Sequence, residues 1–584
     1  MKRTKKYLAA ILLMIPLFAC AEEGSNLSGL WESYKRFGPD VHGPLLIDER
    51  LQSAEAGPYI VDVTNDGDSI SFSLPDDQGR FIGQLKGQSI QGHWIQPPPQ
   101  QIGQNMASPI VLERIDNGMW RGDIRPRASE YTFFLPIKSG ADGALTTFLR
   151  NPDRNLGIFT NIRRIEQNGS ALSFIGGFFR STDEQVLASG SYDEEYDVIT
   201  MVLPPWRGGT YDFQRVPDDT NSHFHARSKN ASPWKYTQPP ELDDGWNTST
   251  LADVGLDEAP IRQMIDEEIR TLDDNLHSHR VHGVLIARNG KLVVEEYFHG
   301  FDRNTPHDTR SASKSMASML VGAAMEAGFD VSVDTPVYET MRGQSTDREL
   351  RKQAMTLKHL LTMSSGFYCD DNDSDAPGNE NTLQEQQDEP NWYKYTLDLP
   401  MAYDPGTNAI YCSANSNLIG AVLSGATGES LMDLFADLIA RPLGVKQYYL
   451  GLQPTGEPYL GGGAHWLPRD FMKLGQVMLN GGTWNGHRIV SEEWAAESTQ
   501  AQVKIGDRDY GYQWWINEYP FRDGTVHAFF AAGNGGQIIM GIPELDLLIA
   551  FYGGNYSDAV LYRAQNVLIP EYILKSVKSA VKSL

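Results

Sequence analysis

The sequence has few cysteines and a deficit of positive charge. Its 584 residues include only three cysteines, and 50 Lys and Arg stand against 75 Asp and Glu, which gives a formal net charge of −25. A surface this acidic repels phosphates, so a nucleic-acid partner is not expected. The charge says little about the reaction.

Several catalytic and metal-binding motifs are also missing. No H-E-x-x-H, C-x-x-C or G-x-x-x-x-G-K-[ST] pattern occurs, and the absence of G-x-S-x-G argues against an α/β-hydrolase nucleophile elbow. The alternating pairs His223/His225 and His277/His279 lack the neighbouring ligands that a metal site needs. The sequence therefore predicts neither a metal nor a cofactor.

Long apolar runs are absent except near the N-terminus. Residues 1–19 are basic and then apolar, and 1–21 is predicted to be a signal peptide. Leu17-Phe-Ala-Cys20 resembles a bacterial lipobox, which makes Cys20 a lipidation site; cleavage before Glu22 is the alternative and gives a soluble exported protein. We expect an exported protein, periplasmic or anchored to the outer membrane, that contacts the membrane only through this lipid.

The chain is too long for one core and predicts two domains. Residues 25–217 contain short runs of β-forming residues between turn residues, which predicts an all-β sandwich or barrel. Residues 218–250 are polar and Pro-containing and are predicted to be a linker. Residues 251–584 mix helix and strand patterns. Scaffold or lid is the favoured role of the first domain, and a binding module is the alternative.

A hydroxyl and an amine stand three residues apart at Ser311 and Lys314, on one face of a helical turn. Such a serine becomes a nucleophile when an unprotonated amine takes its proton. The same spacing at 232–235 lies in a Pro-rich connector, and at 579–582 in a basic tail. The alternative is a helix start with an incidental lysine.

The surroundings favour Ser311 over the other two serines. A hairpin with an Asn-Gly turn is predicted at 284–298, and residues 316–327 form one apolar helical face. The positive potential at the start of that helix suits an oxyanion. Burial must lower the pKa of Lys314 by several units if its amine is to act as a base near neutral pH.

Two later stretches could complete this site. Tyr411 lies on a turn before a predicted helix and could shuttle a proton beside Lys314. A Gly-rich stretch near the end leaves backbone N–H groups accessible, as an oxyanion hole requires, and a crowded strand is the alternative. The predicted substrate and oxyanion contacts are Ser413, Gly533, Asn534, Gly535 and Gly536.

These motifs, taken in order, resemble the class C β-lactamase-like branch of the penicillin-recognising serine hydrolases. The resemblance covers roughly 251–556. It rests on residues 311–314, 356–366, 405–407, 411–413, 461–463, 469–475, 482–494 and 531–537. It implies an α+β hydrolase domain, an antiparallel sheet flanked by helices with a helical subdomain, and an acyl-enzyme on Ser311 with Lys314 and Tyr411 as proton relay.

The sequence departs from the family pattern in two places. Ser413 stands where the family's Y-x-N box has Asn, which is similar to the aminohexanoate-oligomer hydrolases and some esterases. The K-T-G box has no cation, since Ala531, Ala532 or Gly533 occupies its first position. A cation there would bind a substrate carboxylate, and His527 nearby could replace it. Binding of penicillins is therefore in doubt.

If Cys20 is lipidated, Cys369 and Cys412 are the two cysteines that remain, and we expect a disulfide between them. Two buried free thiols are the alternative. An acidic loop at 371–378 is interpreted as solvated rather than as a calcium site.

The predicted function is an exported serine hydrolase that cleaves an ester or a small amide. A peptidoglycan D-peptidase or β-lactamase, and a non-catalytic binding or sensor protein, are the alternatives.

Overall fold

A computed structural model describes residues 27–98, 104–116, 118–179, 181–271, 275–341, 343–344 and 349–578. The predicted signal peptide and Cys20 lie outside the described residues, as does the S-x-x-K copy at 579–582. Among the described residues no single helix could span a membrane; two helices bent by 96°, Ser413–Thr427 and Leu431–Ala440, pass that test only together.

The N-terminal half consists of β-strands. They are β1 Gly29–Gly38, β2 Gly43–Ile47, β3 Ser53–Ala56, β4 Tyr59–Asp62, β5 Thr64–Asp66, β6 Ser69–Ser73, β7 Arg80–Lys86, β8 Ser89–Gln96, β9 Met106–Arg114, β10 Trp120–Ile124, β11 Ser129–Ser139, β12 Leu145–Thr146, β13 Thr160–Asn168, β14 Ala171–Phe178, β15 Gln185–Asp193, β16 Val198–Val202 and β17 Thr210–Val216.

Eight of these strands close into an antiparallel barrel, in the order β1-β11-β12-β13-β14-β15-β16-β17. Its interior follows the two-residue period of a strand, since Phe133, Leu135 and Ile137 of β11 pack together with Trp31 of β1. Strands β2 to β10 are inserted between β1 and β11 and form a separate sheet with its own apolar core. The prediction of an all-β region is confirmed, and the inserted sheet is an addition that the sequence did not predict.

The C-terminal half mixes strands and helices. Its strands are β18 Asn247–Thr248, β19 Val281–Arg288, β20 Lys291–Tyr297, β21 His307–Asp308, β22 Tyr448–Gly451, β23 His465–Trp466, β24 Thr483–Trp484, β25 His487–Arg488, β26 Val503–Ile505, β27 Arg508–Tyr510, β28 Trp515–Phe521, β29 Gly524–Gly533, β30 Gln537–Ile542 and β31 Leu547–Gly553. Its helices are α1 Glu258–Gln263, α2 Lys314–Glu326, α3 Val337–Thr340, α4 Leu350–Gln353, α5 Leu357–Leu361, α6 Glu380–Glu385, α7 Trp392–Asp398, α8 Ser413–Thr427, α9 Leu431–Phe435, α10 Pro468–Leu479 and α11 Glu492–Ser498.

A nine-stranded sheet organises this half, in the order β18-β20-β19-β31-β30-β29-β28-β27-β26. All its pairs are antiparallel except β18 with β20. Leu285 and Ala287 of β19 pack on the face that carries α2 and α8, and Val284 and Ile286 pack on the opposite face with α1. This burial of both faces confirms the predicted α+β class with helices on a mainly antiparallel sheet.

The predicted hairpin is confirmed as β19 and β20. Its turn places both Asn289 and Gly290 at positive φ, 54° and 69°, as a type I′ turn requires. Two helices of this half are short. Helix α1 continues into a π-helical segment, Met264–Ile269. Helix α5 ends at Leu361, and Met363 beyond it has a φ of 57°.

The two halves are joined by backbone and side-chain contacts. Strand β9 pairs with β22 of the C-terminal half, where Leu450 faces Ala107, and the buried His93 Nε2 lies 2.8 Å from the Tyr448 hydroxyl. The Asn155 amide donates to the carbonyl of Tyr556 at 2.8 Å. The predicted linker, residues 218–250, is also held against the C-terminal half at its end, because β18 is part of the nine-stranded sheet. The N-terminal half therefore packs directly against the C-terminal half.

Candidate active site

Ser311 lies on a 3₁₀ turn, Arg310–Ser313, that leads directly into α2. Thr309, which follows β21, fixes the start of this turn, because its hydroxyl donates to the Ala464 carbonyl at 2.7 Å. Arg310 has a φ of 49°, a conformation that costs a residue other than glycine of order 1–3 kcal/mol and that often occurs at functional sites. The turn leaves Ser311 only partly buried, while the residues that follow it are fully buried.

Lys314 begins α2 with its side chain in the protein interior, 1% exposed. Its Nζ donates to the Ser311 Oγ at 3.2 Å, to the Ser413 Oγ at 2.8 Å and to the carbonyl of Gly461. Three acceptors match the three protons of an ammonium group. The structure thus holds Lys314 as a cation in contact with the Ser311 hydroxyl.

The expectation of a lowered Lys314 pKa is wrong. Burial does act to lower it, but the neighbouring charges of Tyr411, Glu380 and Asp371 act in the opposite direction, and the pKa of Lys314 is raised. An ammonium that is desolvated beside carboxylates is stabilised by them. Lys314 therefore stays protonated near neutral pH and acts first as a positive charge.

Ser413 is fully buried and engaged on both sides. Its Oγ accepts from Lys314 and donates to the Asp371 Oδ2 at 2.6 Å, and its backbone N–H donates to the same oxygen at 2.8 Å. The predicted substrate contact therefore lies behind Lys314 and not on the cavity wall. In this structure Ser413 connects Lys314 to the Asp371 carboxylate and thereby orients the Lys314 side chain.

Asp371 was missed because its loop reads as solvated. Asn372, Ser374 and Asp375 of this loop are exposed, but Asp371 is partly buried and its carboxylate accepts hydrogen bonds from Ser413. Burial and the nearby Glu380 carboxylate raise the pKa of Asp371 to about 6, although the Lys314 ammonium opposes this shift. The sequence offered one indication that Asp371 belongs to the site, because a disulfide between Cys369 and Cys412 brings residues 371 and 413 together.

The structure joins Cys369 and Cys412 in a disulfide with 5.7 Å between the two Cα atoms. Both side chains are buried in the core that contains α2 and α8. The bond fixes the Asp371 loop next to the start of α8.

Tyr411 completes the cluster around Ser311. Its ring stacks on Trp515 with 5.6 Å between centroids, and the Lys314 Nζ lies 5.1 Å from the ring centre. Burial raises the Tyr411 pKa, while the Lys314 charge and a hydrogen bond with Ser311 act to lower it. The three side chains at 311, 314 and 411 therefore converge as the sequence analysis expected. Trp515, which positions the phenol, was not predicted.

The end of β29 approaches Ser311 closely at Gly533. A Cβ atom at this position would lie 2.3 Å from the Thr309 carbonyl oxygen and 3.1 Å from the Ala312 nitrogen, so only glycine fits without a shift. Asn534 follows it and lines the same cavity as Ser311. The end of β29 therefore lies directly against the turn that carries Ser311, a location that suits an oxyanion hole.

Gly535 and Gly536 do not share this position. Both are buried, and both have positive φ, 99° and 95°, in the turn to β30. A Cβ on Gly535 would meet Tyr556, and one on Gly536 would approach Gly553. These two glycines form the turn, while Gly533 and Asn534 face Ser311.

His527 does not supply the cation that the K-T-G position lacks. Its imidazole is 62% exposed and pairs with Glu518 and Glu544. It lies six residues before Gly533 along the extended β29 and lines a different cavity. The two carboxylates raise the pKa of His527, and because they pair with its imidazolium, that charge is not free to bind a substrate anion.

The Ser311 hydroxyl opens into a cavity of about 380 Å³ between the two halves of the molecule. The catalytic half contributes Asp308, Glu380 and Tyr459, and the N-terminal half contributes Arg127 and Arg154. Within the described residues no group of three or more His, Cys, Asp or Glu side chains could hold a metal ion. The arrangement supplies a nucleophile, a fixed cation and a phenol, a set that suits acyl transfer.

Comparison with known proteins agrees with this chemistry. A family model for beta-lactamase matches residues 265–558, just over half of the chain. The chain belongs to the beta-lactamase family. It is therefore a serine hydrolase with a β-lactamase-like fold, and the matched segment contains Ser311, Lys314, Tyr411 and Gly533.

Relatives in this family are distant. The 6-aminohexanoate-dimer hydrolase of Paenarthrobacter ureafaciens is 23% identical over 260 residues, 42% of this chain and 66% of the relative, so the chain spans just under two thirds of that relative's length. A putative 6-aminohexanoate-dimer hydrolase from Bacillus anthracis is 18% identical, with a TM-score of 0.43 over 61% of this chain and 90% of that one. A family VIII carboxylesterase is 18% identical, with a TM-score of 0.44 over 57% of this chain and 99% of that one.

Proposed function

We propose that this chain hydrolyses an ester or a small amide through an acyl-enzyme on Ser311. The observation that carries the proposal is the convergence of the Lys314 ammonium and the Tyr411 phenol on the Ser311 hydroxyl, which lines a cavity. Each group is fixed by packing or by hydrogen bonds to buried partners, so little reorganisation is needed before reaction. A degenerate binding protein would have no reason to hold all three.

The raised Lys314 pKa favours a mechanism in which the lysine works through Tyr411. The ammonium stabilises the phenolate form of Tyr411, and that phenolate takes the proton of Ser311 as its Oγ attacks the substrate carbonyl. The Ser311 N–H and a backbone N–H after Gly533 bind the oxyanion. The phenol then gives its proton to the leaving alkoxide or amine as the carbon–heteroatom bond breaks, which leaves the acyl group on Ser311.

Water completes the cycle by the same relay in reverse. Tyr411, again as a phenolate, takes a proton from water as the oxygen attacks the acyl carbon, and Ser311 recovers its proton as the ester bond breaks. Because the pKa of Tyr411 is raised, the phenolate is a minor species at neutral pH. We therefore expect kcat/KM to rise with pH above neutrality.

The test is a substrate panel with a matched pair of serine variants. Wild type, Ser311→Ala and Ser232→Ala are assayed on p-nitrophenyl esters, D-amino-acid amides and a chromogenic β-lactam. Ser232 is exposed and starts the second S-x-x-K pattern, so its variant controls for loss of a serine hydroxyl. Ester or amide turnover that disappears only in Ser311→Ala supports the proposal. Turnover that persists in that variant overturns it, and exclusive β-lactam turnover would assign the alternative.

We also propose export of the protein, which the Cys369–Cys412 disulfide supports because such bonds persist in oxidising compartments. Lipidation at Cys20 is part of this proposal. Metabolic labelling with a fatty acid, compared between wild type and Cys20→Ala, tests it. Label on wild type alone is expected, and the absence of label on both would leave soluble export.

A further inference from the structure

The cavity at Ser311 has one wall that the hydrolase half does not build. Arg127 follows β10, and Arg154 lies in the loop between β12 and β13, so both belong to the N-terminal half and both line the cavity with Ser311. Because β9 pairs with β22, this wall is held in place relative to the nucleophile. A substrate that fills this cavity therefore contacts residues of the N-terminal half.

Three arginines, Arg127, Arg154 and Arg310, line this cavity, and the last two form ion pairs with a carboxylate of the protein. Arg154 Nη1 lies 3.5 Å and Arg310 Nε lies 3.1 Å from the same oxygen of Asp308. Arg310 and Arg154 hold the pKa of Asp308 well below its usual range against the effect of burial, so Asp308 is ionised. His465 also faces this carboxylate, but burial lowers its pKa and keeps it neutral.

Arg127 differs from these two arginines. Among the residues that the structure describes, its guanidinium has no ion-pair or hydrogen-bond partner, although the side chain is only partly exposed. Its backbone is fixed, because Arg127 N donates to Gln96 Oε1 at 2.7 Å and Gln96 Nε2 donates to the Arg127 carbonyl at 3.1 Å. Burial lowers the Arg127 pKa only to about 10, so the side chain remains a cation at neutral pH.

The carboxylates near Arg127 are committed elsewhere. Asp153 Oδ2 accepts from the Thr132 N–H at 3.0 Å and from the Asn151 amide at 3.1 Å. Glu130 lines the same cavity, but its carboxylate accepts from the Tyr34 hydroxyl. Asp308 is shared by Arg154 and Arg310, as described above. A partly desolvated guanidinium that stays unpaired is unfavourable unless a ligand supplies the anion.

On the opposite wall, Arg310 is paired with Asp308, and the K-T-G position carries no cation. The strand end beside Ser311 carries Ala531, Ala532 and Gly533, and His527 points to another cavity. Arginine is well suited to this task, because its planar guanidinium binds a carboxylate through two parallel hydrogen bonds.

We propose that Arg127 binds an anionic group of the substrate, most simply a carboxylate, and that this hydrolase therefore prefers esters or amides that carry a negative charge away from the scissile bond. The proposal rests on the proposed function, since it assumes that Ser311 is the point of attack. It gives the N-terminal half a role in substrate specificity.

The kinetic test uses substrate pairs that differ by one carboxylate. In the first pair the charge lies on the acyl side, 4-nitrophenyl hydrogen glutarate against 4-nitrophenyl pentanoate. In the second it lies on the leaving group, 4-acetoxy-3-nitrobenzoate against 2-nitrophenyl acetate. Wild type is expected to prefer the anionic member of one pair by about tenfold or more in kcat/KM, which is the size of a charge-assisted contact of about 1.4 kcal/mol.

Two variants and a control separate specificity from structure. Arg127→Ala should lose the preference, because kcat/KM falls much more for the anionic ester than for the neutral one, and Arg127→Lys should retain part of the preference because it keeps the charge. Arg164→Ala is the control, since Arg164 is an exposed barrel residue paired with Glu166 and Glu184. It should leave the preference unchanged. Raising the salt concentration should weaken the preference in wild type and in Arg164→Ala, and it should change little in Arg127→Ala, which has no preference left to weaken.

A binding measurement keeps this proposal distinct from the proposed function. In the Ser311→Ala background, calorimetry compares glutaramate with pentanamide, with and without Arg127→Ala. Tighter binding of glutaramate that depends on Arg127 supports the anion site even if no ester is hydrolysed. The proposal is overturned if wild type shows no preference in either pair and glutaramate binds no better than pentanamide. It is equally overturned if Arg127→Ala lowers both members of a pair alike.

Discussion

The two halves of this molecule bring polar groups to one cavity by different means. In the catalytic half, Lys314 and Ser413 begin two buried helices, α2 and α8, and a disulfide fixes Asp371 beside them. In the N-terminal half, Arg127 and Arg154 lie on loops between strands. Chemistry that needs fixed geometry is thus held by packed helices, whereas the wall that faces the substrate depends on docking of a second fold.

The largest expected effect is on the catalytic side of this comparison. Lys314→Met keeps an unbranched chain in the same volume but removes the cation that contacts Ser311 and stabilises the phenolate. We expect kcat/KM for a p-nitrophenyl ester to fall by about a thousandfold. The control is Lys352→Met, which changes a lysine that is equally buried, 1% exposed, in the helical subdomain. It should leave the activity of the folded protein nearly unchanged, and equal losses in both variants would contradict the account.

The next effect concerns the close approach of β29 to the nucleophile. Gly533→Ala places a Cβ 2.3 Å from the Thr309 oxygen and must displace the strand end from Ser311. We expect kcat to fall between about tenfold and a hundredfold, because an oxyanion donor moves. Gly524→Ala, at the other end of β29, has open space around the new Cβ and serves as control. A normal kcat in Gly533→Ala would show that this strand end plays no part in catalysis.

A smaller effect is expected in the pH profile. The pKa of Asp371 is raised to about 6, so the carboxylate that holds Ser413 toward Lys314 becomes protonated as the pH falls through 6. We expect kcat/KM to decline below about pH 6 in wild type and to lose this inflection in Asp371→Asn. Asp375→Asn, in the exposed part of the same loop, should keep it. An unchanged inflection in Asp371→Asn would assign the titration to another group.

The smallest effect is expected at the contact between the two halves, where a substitution should lower stability without lowering activity. His93→Phe removes the partner of the Tyr448 hydroxyl, and we expect the free energy of unfolding to drop by about 1–2 kcal/mol with ester turnover kept within about twofold. Urea unfolding followed by fluorescence measures the first quantity. His487→Phe, on an exposed turn strand, should change neither quantity. A large loss of turnover in His93→Phe would make the junction part of catalysis.

The same residue predicts a pH dependence of stability. Burial lowers the pKa of His93 to about 4, so between pH 6.5 and 4 the unfolded chain binds a proton that the folded protein does not. The His93 contribution to stability therefore falls as the pH drops through this window. The difference in unfolding free energy between wild type and His93→Phe should narrow from pH 7 to pH 4.5.

Local patterns explain how much of the site could be predicted from sequence. The Asn289-Gly290 turn and the Gly-rich end of β29 are set by neighbouring residues, and the structure shows both. The helix behind Lys314 also forms, but residues 314–324 are buried on every side and not along a single apolar face. Family motifs added Tyr411, which no local rule distinguishes from the other tyrosines. Asp371 and Trp515 join the site only through tertiary contacts, so no short-range pattern indicated them.

Long-range pairing set the limit for the N-terminal half. Short strand patterns gave the all-β class, but nothing in them shows that β2 to β10 are inserted into a barrel or that β9 pairs with β22. Arg127 is one arginine among many until that docking places it opposite Ser311. The direction of the Lys314 pKa shift was predicted wrongly for the same reason. That direction depends on Asp371 and Glu380, which only the fold brings close to Lys314.

The central claim is tested most directly by mapping the residue that a fluorophosphonate modifies. The account predicts a single adduct on the peptide that contains Ser311, located on its Oγ by tandem mass spectrometry, and no adduct in Ser311→Ala. Labelling of Ser311→Ala to the wild-type level, or an adduct on another residue of the wild type, would contradict it.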